Sequence, residues 1–114
     1  MDNLLAAKTC TACTGAEASL SAEQIADLVG HIDGWNVEES ERLRKEFIFP
    51  DFKSALTFVN KVGEKAEAEN HHPDIFLHDY KKVTISLSTH AIKGLSENDF
   101  ILAAKIDTLI PPTS

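Results

Sequence analysis

Cysteine is scarce: Cys10 and Cys13, in the motif CTAC, are the only two in 114 residues. A structural zinc site needs four ligands, and a thioredoxin-like motif needs a preceding strand and a following helix. Neither context is visible, so the pair reads as two reduced thiols in residues 1–19, a small, polar, aperiodic stretch expected to form a flexible tail. Basic residues are also few. Eleven Lys and Arg against eighteen Asp and Glu leave a net charge of −7 and no basic run, which argues against nucleic acid as a direct partner. Long apolar runs are missing. None approaches the roughly 18 residues of a membrane span, and the opening MDNLLAAKTC lacks the charged start and apolar core of a secretory signal. A cytoplasmic protein with no membrane partner is expected.

What remains is an ordinary globular composition, 43% hydrophobic and 25% charged, of one domain's length. That domain is expected over residues 20–110. Ser21 with Gln24 reads as a capping box, and Leu20 can staple onto Ile25. Ile25, Leu28, Val29 and Ile32 share a helical face, and Asp33-Gly34 offers a stop, which predicts a helix over 22–32. Trp35 and Val37, a turn at 39–41, then Leu43, Lys45, Phe47 and Phe49 predict a β-hairpin. Pro50 breaks the strand, and Asp51 caps a long helix to Glu69 whose stripe is Phe52, Ala55, Leu56, Val59, Val62 and Ala66. Gly63 inside that helix predicts close packing against another backbone.

A second strand pair is expected at Ile75–His78 and Lys82–Thr89, with a turn at 79–81. Val83, Ile85 and Leu87 point to the core, while Thr84, Ser86, Ser88 and His90 share the other parity. Ser96 with Asp99 signals a last helix carrying Phe100, Ala103, Ala104 and Ile106, ended by Pro111-Pro112. The order α-ββ-α-ββ-α predicts an α+β fold: a four-stranded, largely antiparallel sheet with helices on one face, the other face solvated or shared with another subunit.

Four of the five histidines fall in the stretch from His71 to His90. Three readings compete. Metal ligation is disfavoured, because neighbours in an extended segment point apart and no HExxH or second cysteine pair is present. Simple exposure suits His31 and His78. The doublet His71-His72 differs, since it ends the longest helix and Pro73 restricts His72 to extended geometry. Imidazole, with an unperturbed pKa near 6.5, both donates and accepts protons near neutral pH. Removal of water from a substrate needs both roles at once.

The pattern E-x-x-N-H-H-P at Glu67, Asn70, His71, His72 and Pro73, Y-K-K-V from Tyr80, L-S-T-H from Leu87 and G-L-S-E-N-D from Gly94 resembles the pterin-4a-carbinolamine dehydratases. With Asp33-Gly34-Trp35, the likeness runs from about Ser21 to Ile110. It implies dehydration of 4a-hydroxytetrahydropterin to quinonoid dihydropterin, which recycles the cofactor of aromatic amino-acid hydroxylases, without a metal or further cofactor. It places His71, His72 and His90 around the pterin as the acid/base set, Asn70, Ser88 and Thr89 along the site, and Glu67 and Asp99 as supporting carboxylates. An acidic residue at Asp99 is also favoured by the helix dipole alone. The resemblance further implies an α+β sandwich that forms homodimers or homotetramers. Animal members also act as dimerisation cofactors of a transcription factor, so a protein-binding module is the alternative reading. The chain departs from many members at Asn70, where they carry Asp, and at Ile75, where they carry an aromatic. The segment between Pro73 and Tyr80 is one residue longer than in the animal enzymes. These departures bear on the preferred pterin side chain more than on the reaction.

Overall fold

A computed structural model describes residues 20–32, 34–39, 41–89 and 94–109. Its elements are α1 (Ala22–Val29), β1 (Asn36–Glu38), β2 (Arg42–Ile48), α2 (Phe52–Glu69), β3 (Asp74–His78), β4 (Lys82–Leu87) and α3 (Glu97–Asp107). This is the expected α-ββ-α-ββ-α order. The strands form one sheet in the order β1-β2-β4-β3, each neighbouring pair antiparallel. Alternation in the sequence fixes the register. Leu43 lies opposite Leu87, Phe47 opposite Val83 and Ile75 opposite Ile85, so the apolar residues of three strands collect on one face.

The helices cover that face. Ile25 of α1, Ala55, Phe58 and Val62 of α2, and Phe100, Leu102, Ala103 and Ile106 of α3 join Leu43, Phe47, Val83, Ile85 and Leu87 in one buried cluster. Phe47 packs on Phe58 with ring centroids 4.8 Å apart and meets Trp35 edge-on at 6.0 Å. A partly buried polar clasp closes the far end of α3. Asp107 accepts from the Trp35 indole N–H at 3.1 Å and from Lys45 at 2.9 Å, and the Lys45 ammonium sits 4.9 Å from the Phe47 ring centroid. Lys45 thus points into the apolar layer, as its parity with Leu43 and Phe47 requires, and is paired there.

Several details differ from the sequence-based expectation. Helix α1 stops at Val29 rather than 32, because Gly30 closes it and the N–H groups of Gly30, His31 and Ile32 bond three residues back instead of four. Asp33 of the expected stop lies outside the described residues, although Gly34 does adopt a left-handed φ of 80°. Strand β4 ends at Leu87, and Thr89 forms an isolated bridge with Gly94 instead of extending the ladder. Phe52 and Leu56, placed on the buried stripe by periodicity, are exposed, whereas Phe58, outside that stripe, is buried with Ala55, Val62 and Ala66 and packs on Phe47 and Phe49. Gly63 is not at a close approach: a Cβ built there meets nothing within 4 Å.

Candidate active site

Helix α2 delivers the histidine doublet through its termination. Asn70 takes the left-handed conformation (φ 54°, ψ 41°), its N–H reaching Glu67 O at 3.2 Å, while the His71 N–H bonds to Ala66 O at 3.2 Å. These are the paired bonds of a Schellman motif. Asparagine tolerates this φ better than other side chains, so the chain leaves the helix sharply at His71. Pro73 then holds His72 extended before β3. Adjacent side chains in such a segment diverge.

The divergence gives each imidazole its own carboxylate. His71 donates from Nε2 to Asp99 Oδ1 at 2.7 Å, and His72 from Nε2 to Glu67 Oε2 at 2.6 Å. An ionised carboxylate has no proton to offer, so the ring nitrogen is the donor in both. The two pairs differ in setting. Asp99 is fully buried and the His71 side chain only 12% exposed, whereas His72 and Glu67 are 56% and 78% exposed.

Asp99 stands in the first turn of α3, where its buried carboxylate also accepts from the Ser96 N–H at 2.9 Å and from Thr89 Oγ at 2.7 Å, both on Oδ2. Thr89 is itself buried, and its hydroxyl lies 2.7 Å from that of Ser96. A partly buried Lys105–Glu69 ion pair at 3.5 Å ties α3 to the end of α2, so the carriers of His71 and Asp99 are fixed to each other. Beside His72, an open groove of about 590 Å³ is lined by Gly63, Ala66, Glu67, Pro73 and Ile75, among others.

The structure therefore gathers His71, Asp99 and Thr89 into one cluster and His72 with Glu67 into another. Asn70 shapes the backbone at the junction, and Ser88 lies half-buried between β4 and the Thr89 bridge. His90 lies outside the described residues. Ser96, read from sequence only as a helix cap, joins the Asp99 network, and only its cap spacing to Asp99 foreshadowed that. His78 is not simply exposed, as expected. It contacts Asp79 through Nδ1 at 3.0 Å and Thr84 through Nε2 at 2.9 Å, and stacks on Phe76 across the open sheet face. Among the described residues, no group of three or more His, Cys, Asp or Glu could hold a metal ion, and no helix is long and apolar enough to cross a membrane.

Residues 18–109 match the family model described as pterin 4 alpha carbinolamine dehydratase. A protein of Nitrosospira multiformis is 50% identical over 105 residues, covering 92% of this chain and 91% of the relative. One of Rubrobacter xylanophilus is 45% identical over 105 residues, covering 92% and 97%. Both are provisionally named pterin-4-alpha-carbinolamine dehydratase. A crystal structure described as transcriptional coactivator/pterin dehydratase from Brucella Melitensis superposes with a TM-score of 0.74 at 30% identity, covering 80% of this chain and 97% of the other. A pterin dehydratase-like protein described as a RuBisCO assembly factor in the alpha-carboxysome shares the fold, with a TM-score of 0.57 at 23% identity over 67% and 88% of the two chains.

Proposed function

The chain belongs to the pterin 4 alpha carbinolamine dehydratase family, a family of hydro-lyases, and from that premise we propose that it dehydrates 4a-hydroxytetrahydropterin with His71, His72 and His90 as its proton-transfer groups. The observation that carries this reading is the placement of two adjacent imidazoles, each hydrogen-bonded through Nε2 to its own carboxylate. Such a bond leaves Nδ1 of each ring to face a substrate.

In the reaction one imidazolium protonates the C4a hydroxyl, and the C–O bond breaks as water departs. A neutral imidazole takes the N5 proton, and the electron pair left on nitrogen forms the N5=C4a double bond of quinonoid dihydropterin. One proton is given and one is taken, so the protein returns to its starting state by proton exchange with solvent. The exposed His72–Glu67 pair is well placed for that exchange, and the buried His71–Asp99 pair for a fixed direction of transfer. Each proton transfer by a positioned group contributes ~10² to 10⁴ in rate. Asn70 and Ser88 flank the pterin, and the groove beside His72 leaves room for a substrate next to the reacting ring.

The reading extends to recycling the pterin cofactor of an aromatic amino-acid hydroxylase in the cytoplasm, and to a homodimer or homotetramer. Replacement of His72 or His90 by Ala is expected to cut turnover at least ~10²-fold in folded protein. Wild-type rates in both variants would remove the assignment. A protein-binding role is the second reading, favoured by the coactivator description of the Brucella structure and by the exposed apolar side chains of Ile48 and Phe76 on the open sheet face. A stoichiometric partner captured from cell extract by a chain that fails to accelerate dehydration would reverse the ranking.

A further inference from the structure

Asp99 accepts three hydrogen bonds and is fully buried, yet only one of its donors is a histidine. The other two converge on the same oxygen, Oδ2, and one of them, the Thr89 hydroxyl, is in turn 2.7 Å from the Ser96 hydroxyl. A hydroxyl has one proton. Since Thr89 donates its proton to Asp99, the Ser96 hydroxyl must be the donor to Thr89. The direction of the chain is therefore fixed as Ser96 to Thr89 to Asp99, with the Ser96 N–H as a second donor on Oδ2. Both donors hold Oδ2, which leaves Oδ1 as the only carboxylate oxygen aimed at His71.

We propose that Thr89 and Ser96 are positioning residues that act through Asp99 to lock neutral His71 in the Nε2–H tautomer, so that Nδ1 carries the lone pair offered to the substrate. The inference rests on the acid/base reading of His71 given above. It gives Thr89 a role other than substrate contact, because the residue is only 3% exposed and its hydroxyl is engaged on both sides within the protein. Loss of the hydroxyl would leave the Ser96 N–H as the one remaining donor on Oδ2, loosen the hold on the carboxylate orientation and release His71 to either tautomer.

The test compares wild type, Thr89→Val and Thr89→Ser in the full chain, each labelled with ¹⁵N. Histidine side-chain ¹⁵N shifts report the tautomer, with the His71 resonances assigned by their absence in His71→Gln, and dehydration kinetics are measured on the same samples. The expected result is a single Nε2–H tautomer at His71 in wild type and a mixture in Thr89→Val. The kcat of that variant should fall about tenfold, the scale of one hydrogen bond to a charged group, with KM within about twofold, and Thr89→Ser should restore both readouts. An unchanged tautomer and kcat in Thr89→Val, or a serine variant as impaired as the valine one, would overturn the proposal. Should Thr89→Val fail to fold, Ser96→Ala removes the donor to Thr89, together with the cap side chain of α3, while keeping the Ser96 N–H on Oδ2, and is read in the same way in folded protein, with tautomer mixing expected and an unaltered tautomer contradicting the relay. The ¹⁵N shifts decide the tautomer even in a chain that proves inactive, so failure of the relay and failure of the dehydratase reading are separable.

Discussion

Two carboxylates of unequal burial stand behind two adjacent histidines, and burial decides what the loss of each should cost. Asp99 is sealed from solvent, so Asp99→Asn places an amide donor against the donor face of His71 with no water to compensate. Turnover should fall by ~10² or more, the scale of one misplaced proton-transfer group. Glu67 faces water, where an ion pair is weak, and Glu67→Gln should cost less than about fivefold. Steady-state dehydration rates of the two folded variants check this, and equal losses would contradict the division of settings. The histidine doublet was legible in the sequence, because a helix end followed by His-His-Pro is a local signal. The partnership of His71 with Asp99 was not: the two are 28 positions apart and meet only because α3 docks against the end of α2.

The two ends of α2 and the glycine inside it each carry a prediction. The left-handed φ of Asn70 suits glycine as well, so Asn70→Gly should leave the melting temperature nearly unchanged. Asn70→Val should cost about 1–2 kcal/mol from the clash of Cβ with the carbonyl, and should lower activity because His71 leaves the helix at that residue. Gly63→Ala should raise stability by about 0.8–1.0 kcal/mol, since the added methyl meets open space and helix propensity alone acts; a lower melting temperature would reveal that something seats against this glycine. Hydrogen bonds from Ser54, chiefly its side chain and then its backbone N–H, hold the Asp51 carboxyl below its ordinary value at the start of α2. A carboxyl depressed in the folded state contributes stability above its unfolded pKa and loses it as pH falls through the folded one. The gap in denaturation midpoint between wild type and Asp51→Asn should therefore be widest above about pH 4 and should close in stronger acid. Capping spacing at Ser21, Asp51 and Ser96 located the three helix starts among the described residues from sequence. The ends were harder to read, because α1 finishes through three-residue bonds at Gly30 that periodicity does not encode.

At the scale of the whole molecule, alternation in β2 and β4 was enough to indicate one buried sheet face and two hairpins, but the pairing of β2 with β4 that joins those hairpins into the order β1-β2-β4-β3 has no local signal in the sequence. Periodicity could not say which apolar residues of α2 stay outside, since Phe52 and Leu56 obey the helical repeat as well as Phe58 does and differ only in what docks against them. The fold brings the end of α2, the bridge after β4 and the first turn of α3 to one place, and that convergence turns scattered motif residues into a pair of histidine–carboxylate units. The central claim is that those units perform a dehydration. It is tested most directly by generating 4a-hydroxytetrahydropterin in a cuvette and following its absorbance decay to quinonoid dihydropterin with wild type, His71→Ala and His72→Ala. A wild-type rate far above the spontaneous one that drops at least ~10²-fold in each variant is predicted. A wild-type rate equal to background, or variants as fast as wild type, would contradict the account.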